Sequence, residues 1–141
     1  MNYFKKIFIT FLSALILTVV NTSSSFAKVE GDTIVLGAAV SLTGKYSSNG
    51  VHTQNGYNLA VERINSMGGV KVKGKNYKFK IIYYDDESNS GRAAQLAERL
   101  IKQDGVQYML GPYSSGLTKA MAPVTEKYKI PMVEANGASR S

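Results

Sequence analysis

Apolar residues along this chain come in short continuous runs, and these runs alternate with longer stretches of helical periodicity. The run Ile34–Val40 is apolar throughout, as is typical of a parallel strand covered by helices on both faces. The stretch His52–Met67 carries apolar residues at helical spacing, and Gly68 and Gly69 end the predicted helix because glycine readily adopts positive φ. The pattern therefore predicts a strand, a loop over Ser41–Gly50 and a helix.

The same alternation continues to the end of the chain. Val70–Tyr83 alternates in polarity about the turn Lys73–Asn76, which predicts a short hairpin leading into the second main strand. Further strands are predicted at Val106–Leu110 and Ile130–Val133. Two more helices are predicted from the apolar stripes Ala93, Ala94, Leu96, Ala97, Leu100, Ile101 and Leu117, Ala120, Met121, Val124, Tyr128. Strands alternating with helices predict an α/β domain with a doubly wound parallel sheet.

Residues 1–27 have a different character. Lys5 and Lys6 precede the apolar run Ile7–Val20, and the segment closes on small residues at Ser25-Phe26-Ala27. This order predicts a secretory signal peptide cleaved after Ala27, with residues 28–141 as the exported protein. A transmembrane anchor is the alternative, but the apolar run has 14 residues, whereas a span needs roughly 20.

Composition narrows the class of protein. The chain contains no cysteine, so it forms no disulfide and has no thiol at the cleavage site to carry a lipid, which favours a free periplasmic protein. Binding of nucleic acid is one interpretation of the net charge of +7. Because the basic residues are spread out, without an arginine-rich run or an aromatic stacking motif, we interpret them as a solvated surface.

Three loops follow the carboxyl ends of predicted parallel strands. They are Ser41–Gly50, Gly111–Gly116 and Glu134–Ser141, and they should converge on the sheet edge where open α/β folds bind ligands. Ser114 and Ser115 lie at the predicted start of the third helix, where free backbone amides and the helix dipole suit a carboxylate. The alternative is that one of these serines only caps the helix.

The sequence offers little for catalysis. Asp85 and Asp86 are neighbours on a strand and point to opposite sides, so we predict a structural role, with one acid capping the next helix. His52 has no partner at a catalytic spacing and is interpreted as a surface histidine. The loop GAAVSLTG lacks the nucleotide-binding spacings. We therefore predict a protein that is not an enzyme and needs no cofactor or metal, with an exported α/β enzyme as an alternative.

Several blocks in a fixed order carry a family resemblance from about Ile34 onward. The blocks are LGAAVSLTG, LAVERINSMGGV, YYDDESNS, LIKQDGVQYMLGPYSSG and APVTEKYKIPMVEANGAS. Together they resemble the periplasmic leucine/isoleucine/valine-binding proteins, the substrate-binding components of branched-chain amino-acid ABC transporters. The resemblance implies a type I periplasmic-binding-protein fold, whose two lobes close around an amino acid. Residues 28–141 would form the N-terminal, incomplete first half of lobe 1.

The resemblance also implies site residues. Ser115, with Ser114 and the main chain beside it, takes the position that binds the ligand carboxylate. In this family the first loop contributes an aromatic or polar wall to the ligand site. Asn49, with Tyr46 nearby, takes that position.

The loop after the fourth strand takes the position that binds the ligand ammonium, through Asn136 and Ala138. Leucine-type binders carry threonine or serine where this chain has Ala138, so either Ser139 substitutes or the ligand differs.

By this resemblance the protein captures an amino acid, branched-chain or a related small polar ligand, in the periplasm. It acts as a monomer that delivers the ligand to an ABC transporter permease, and nucleic acid is not a partner. A ligand-binding sensor or receptor domain of the same fold, for amides or amino acids, is the alternative.

Overall fold

A sheet of mostly parallel strands organises residues 29–134 and 136–139, the part of the chain that the computed structural model describes. The predicted signal peptide, residues 1–27, lies outside the described residues. The strands are β1 (Val29–Glu30), β2 (Thr33–Val40), β3 (Val70–Val72), β4 (Lys75–Asp85), β5 (Met109–Leu110) and β6 (Met132–Val133). The helices are α1 (Ser47–Ser66), α2 (Ser90–Lys102) and α3 (Ser115–Lys127).

The strand order is β3-β4-β2-β5-β6, with β1 paired to β2 in addition. Strands β4, β2, β5 and β6 run parallel, whereas β3 is an antiparallel edge strand. The chain passes from β2 to β4 on one side and returns to β5 on the other, so the direction of winding reverses between β2 and β5. This confirms the predicted doubly wound α/β fold. The antiparallel strand β1 was not predicted.

Side-chain alternation places the helices on both faces of the sheet. Ile82 and Tyr84 of β4 pack against the core formed with α2 and α3. Tyr83 has the opposite parity, and its hydroxyl donates a hydrogen bond of 2.9 Å to the Asn58 side chain of α1. The backbone of Phe79 also exchanges two hydrogen bonds of 2.8 Å with the Asn65 side chain of α1. Because alternate residues of a strand face opposite sides, α1 covers the face away from α2 and α3.

The hydrophobic core lies on the α2 and α3 face. Its buried members come from β2, α2, the segment before β5, β5 itself and α3: Val35, Ala39, Ala93, Leu96, Ala97, Leu100, Val106, Met109, Leu117 and Met121. On the other face, the buried residues of α1 are Gly50 and Thr53, and Leu59 is 67% exposed. The two faces of the sheet are therefore unequally packed.

Strands β5 and β6 are shorter than predicted because neighbouring backbone groups serve helix ends instead. The amide of Val106 donates to the carbonyl of Leu100 at the end of α2, and the amide of Ile130 donates to Thr125 near the end of α3. These bonds satisfy helix carbonyls that would otherwise lack partners. Only the short segments that follow, β5 and β6, pair with neighbouring strands in the sheet.

Helix α1 begins earlier than predicted, at Ser47 rather than His52. Its first turn closes through the amide of Gly50, which donates to the carbonyl of Tyr46 over 2.8 Å. A Cβ added to Gly50 would lie 1.8 Å from the Ser41 carbonyl oxygen, so glycine lets the helix start against the end of β2. The predicted end at Gly68 and Gly69 is confirmed, with φ of 94° and 84°.

Among the helices of the described residues, none is long and apolar enough to cross a membrane.

Candidate functional site

Asp85 and Asp86 join the loop after β2 to the loop after β4. Asp86 is fully buried, and its Oδ1 accepts hydrogen bonds from the Ser41 hydroxyl, at 2.6 Å, and from the Ser88 amide, at 2.8 Å. Burial raises the pKa of the Asp86 carboxyl. These contacts confirm a structural role for Asp86, and they fix the two loops relative to each other.

Asp85 performs the same task on the other side of the strand. It accepts hydrogen bonds from the Leu42 amide, the Thr43 hydroxyl and the Glu87 amide at 2.7–2.9 Å. Desolvation alone would raise the pKa of Asp85, but these hydrogen bonds outweigh it and lower the pKa. The prediction that one acid caps α2 is wrong: Asn89 is the cap, and its side chain accepts from the Arg92 amide.

The start of α3 holds both predicted serines. Ser114 is the N-cap, as its hydroxyl accepts from the Leu117 amide over 3.5 Å, and its backbone has φ of 82°. A positive φ is unusual for serine and stores backbone strain. Ser115 Oγ accepts a hydrogen bond of 2.9 Å from the Ser139 amide. Because Ser115 accepts in that bond, its hydroxyl proton remains available for a ligand.

Glu134 fixes the loop after β6 against α3. Its carboxylate accepts hydrogen bonds from the Thr118 hydroxyl at 2.8 Å and from the amides of Asn136 and Gly137 at 2.5 and 2.9 Å. A Cβ added to Gly111 would lie 2.1 Å from Glu134 Oε2, so the carboxylate also packs directly on the end of β5. The loops after β5 and β6 are thus held together by one carboxylate.

A cavity of about 420 Å³ opens between α1 and the loops after β5 and β6. It is lined by Asn49, His52, Thr53, Gly56, Tyr57, Tyr113 and Asn136. It lies at the carboxyl ends of β2 and β5, where the direction of winding reverses and open α/β sheets place their ligands. The predicted sheet edge is therefore the edge that carries a cavity.

Tyr57 links the α1 wall of the cavity to the sheet. Its hydroxyl donates a hydrogen bond of 2.8 Å to the Gly111 carbonyl. Burial, with smaller contributions from the charges of Glu134 and Tyr83, raises the pKa of Tyr57 to about 12, and a side-chain hydrogen bond with Asn136 opposes the shift. The phenol is therefore neutral at physiological pH and acts as a fixed hydrogen-bonding group.

Two of the six predicted site residues, Asn49 and Asn136, line the cavity. Ser114, Ser115 and Ala138 lie beside it, at the start of α3 and in the loop after β6, and are not part of its lining. Tyr46 lies behind the lining: its ring meets the Tyr113 ring edge-on, with centroids 5.7 Å apart. The ligand contacts assigned to these residues by the resemblance stay predictions.

The predicted site lacks most of the α1 wall, namely His52, Thr53, Gly56 and Tyr57, and it also lacks Tyr113. His52 is exposed, as predicted, but it also lines the cavity. A usable signal was present: Asn49, His52, Thr53 and Gly56 recur at i, i+3, i+4 and i+7, which places polar and small residues on one helix face.

The cavity combines hydrogen-bonding side chains with two aromatic rings, which suits the binding of a small polar molecule. Within residues 29–134 and 136–139, no three histidine, aspartate or glutamate side chains gather as ligands for a metal ion.

Comparisons with known proteins agree with the fold. The family model described as periplasmic binding protein matches residues 33–141. The Leu/Ile/Val-binding protein BraC3 of Rhizobium johnstonii is 28% identical over 111 residues, covering 79% of this chain and 29% of the relative.

Two solved structures are also similar to this chain. The branched-chain amino acid transporter substrate-binding protein LivJ of Streptococcus pneumoniae, in complex with isoleucine, has a TM-score of 0.70 and 28% identity, covering 77% of this chain and 30% of that one. A solute-binding protein of an ABC transporter from Rhodopseudomonas palustris, in complex with 3,4-dihydroxybenzoic acid, has a TM-score of 0.64 and 29% identity, covering 77% and 28%. The chain thus spans less than a third of the length of these proteins.

Proposed function

Because the chain belongs to the periplasmic binding protein family, we propose that it is the solute-binding component of an ABC importer and captures an amino acid or a related small polar solute. Its relatives include a Leu/Ile/Val-binding protein and a transporter protein bound to isoleucine. A further relative binds 3,4-dihydroxybenzoic acid, so related proteins accept acids of more than one class. Members of this family bind solutes and are not enzymes, and we propose the same for this protein.

The observation that carries the proposal is the cavity at the carboxyl ends of β2 and β5. Its walls come from elements that follow three different parallel strands, and Asp85, Asp86 and Glu134 hold the connecting loops in place. Loops that are fixed before a ligand arrives reduce the ordering cost of binding. The arrangement therefore favours binding of a solute.

The carboxylate of the solute is proposed to bind at the start of α3, to the Ser115 hydroxyl and to main-chain groups beside Ser114. A buried carboxylate needs several hydrogen bonds, which free amides at a helix start and a hydroxyl can supply. Asn136 and the main chain at Ala138 are proposed to contact the ammonium group.

Asn49 is proposed to contact the remainder of the ligand, with Tyr46 supporting the wall through Tyr113. With its carboxylate at the start of α3 and its ammonium group at the loop after β6, the solute would place its side chain against α1.

In the whole protein, a second lobe is proposed to close over this cavity, and an ABC permease to receive the solute from the closed, monomeric form. The family description supports a periplasmic location, reached through the proposed signal peptide of residues 1–27. Tests of binding therefore use the intact protein, in which both proposed lobes are present.

Isothermal titration of the intact protein with the twenty amino acids and 3,4-dihydroxybenzoate tests the proposal. We expect one of them to bind, and Ser115→Ala to weaken that binding by about tenfold to a hundredfold, since a hydrogen bond to a charged group is lost. Ser90→Ala, an exposed serine at the start of α2, is the control and should bind as the unsubstituted protein does. Unchanged affinity of Ser115→Ala would remove Ser115 from the site.

Uptake of the identified solute separates transport from sensing. Deletion of the gene should abolish high-affinity uptake, and the intact protein should restore it. Uptake that survives deletion would instead support the sensor alternative.

A further inference from the structure

Gly56 lies in the middle of α1, where a glycine destabilises a helix relative to alanine. Its backbone is helical and has no positive φ that would require glycine. Apart from its chain neighbours and the nearby backbone of α1, a Cβ added at Gly56 would meet no atom of the described residues within 4 Å. Gly50, in the same helix, is different, because the Ser41 carbonyl occupies the place of its Cβ. Folding of the described residues thus accounts for Gly50 and leaves Gly56 without a structural reason.

Gly56 lies on the wall of the cavity. On the same helix face, the Asn49 side chain and the His52 imidazole make no hydrogen bond to any residue that the structure describes. The Tyr113 ring belongs to the loop after β5 and is held edge-on by Tyr46. The α1 wall of the cavity therefore exposes helix backbone at Gly56. Beside it lie two side chains, Asn49 and His52, that make no hydrogen bond to the described residues.

None of the residues lining the cavity is valine, leucine, isoleucine or methionine. An aliphatic side chain gains most from apolar neighbours, whereas a flat polar group can approach a glycine backbone closely and hydrogen-bond at its edge. An aromatic ring also packs well against tyrosine rings. The lining therefore suits a planar group better than a branched hydrocarbon.

We propose that Gly56 keeps the backbone of α1 open to a planar group of the bound solute, an aromatic ring or an amide, whose edge hydrogen-bonds to Asn49 and His52. This inference rests on the proposed function, and it names the class of solute as one with a planar side group. His52 and Asn49 are then specificity-determining residues.

The test is titration of the intact protein with L-phenylalanine, L-glutamine, benzoate and L-leucine, in the unsubstituted form and in two variants. Gly56→Ala adds one methyl group to the cavity wall without a clash among the described residues. Asn55→Ala is the matched control, since Asn55 is the exposed neighbour of Gly56 and does not line the cavity.

We expect a planar probe to bind about tenfold or more tighter than L-leucine, and Gly56→Ala to weaken that binding by about tenfold or more. The melting temperature of Gly56→Ala should stay equal or rise, because alanine favours the helix. Asn55→Ala should bind the planar probe as the unsubstituted protein does.

Different failures point to different errors. Tightest binding to L-leucine, or an affinity for the planar probe that Gly56→Ala leaves unchanged, would overturn this inference alone. Failure of the unsubstituted protein to bind any of the twenty amino acids, benzoate or 3,4-dihydroxybenzoate would overturn the proposed function and this inference together.

Discussion

The Ser41 hydroxyl donates a hydrogen bond of 2.6 Å to Oδ1 of Asp86, and both residues are fully buried. The bond joins the end of β2 to the end of β4. These adjacent parallel strands end at the edge that carries the cavity, and the carbonyl oxygen of Ser41 also lies against Gly50 in the first turn of α1. Because a buried carboxylate cannot hydrogen-bond to water, the loss of any one of its few donors costs free energy.

Replacing Ser41 with alanine should lower the free energy of unfolding by about 1–3 kcal/mol, because Asp86 loses one of its buried donors. Urea unfolding followed by circular dichroism measures this. Ser48→Ala removes an exposed hydroxyl in the first turn of α1 and should change the free energy by less than about 0.5 kcal/mol. Equal effects of the two substitutions would show that the Ser41–Asp86 bond contributes nothing to stability.

Ser114 combines a helix cap with a strained backbone, and two substitutions separate these effects. Ser114→Ala loses the cap and keeps the φ of 82°, so it should destabilise the protein by about 1 kcal/mol or more. Ser114→Gly also loses the hydroxyl, but glycine adopts a positive φ without strain. This relief should restore about 1–3 kcal/mol of the free energy of unfolding. Thermal unfolding should therefore rank the glycine variant above the alanine variant. The reverse order would contradict the strain at this position.

Stability should fall in alkaline solution because of Tyr57. Burial, assisted by the charge of Glu134, raises the pKa of Tyr57 to about 12, whereas an unfolded tyrosine titrates near about 10. The folded state therefore favours the neutral phenol, and its contribution is complete below about pH 10 and is lost as the pH rises towards 12. Urea unfolding at pH 8, 10 and 11 measures the slope.

Tyr57→Phe should flatten this alkaline slope, but only in part, because burial also raises the pKa of Tyr83 to about 12. A variant with the same slope as the unsubstituted protein would show that Tyr57 is not the titrating group.

Glu134→Gln should loosen the loop after β6. The carboxylate accepts two backbone amides and the Thr118 hydroxyl, and a glutamine would present an NH₂ group to one of these donors. Hydrogen exchange of the Asn136 and Gly137 amides should accelerate by about tenfold to a hundredfold, equivalent to about 1.4–2.8 kcal/mol. Glu126→Gln, an exposed acid of α3, is the control. Unchanged exchange in Glu134→Gln would show that the loop is held by other contacts.

The sequence predicts the layered fold well because apolar runs and helical periodicity are local signals. The run Ile34–Val40 became the central strand, and the glycines at 68 and 69 ended α1 as expected. The predicted boundaries that were wrong depend on backbone contacts, which the pattern of side chains does not record. Helix α1 starts at Ser47 because Gly50 fits against the Ser41 carbonyl, and no periodicity of side chains reveals that contact.

The candidate site could be predicted from the sequence only in part, for the same reason. The loops that converge on the cavity follow from strand order, and two of the six predicted residues line it. The composition of Ser41–Gly50 predicts a loop, which separates Asn49 from the α1 face that it shares with His52 and Gly56. Asp85 and Asp86 were identified as structural, but the loop that they would stabilise could not be read from adjacent acids alone.

The unequal packing of the two sheet faces has a consequence for how this protein can evolve. The α2 and α3 face holds nearly all of the buried apolar side chains, so most substitutions there would open voids or overfill the core and be eliminated. Helix α1 is attached largely through polar tethers such as Asn65 and carries the wall of the cavity, so it can accept new side chains at little cost in stability. Descendants of this sequence should therefore keep one face almost unaltered while the opposite face diversifies, which would let a constant scaffold acquire new solutes.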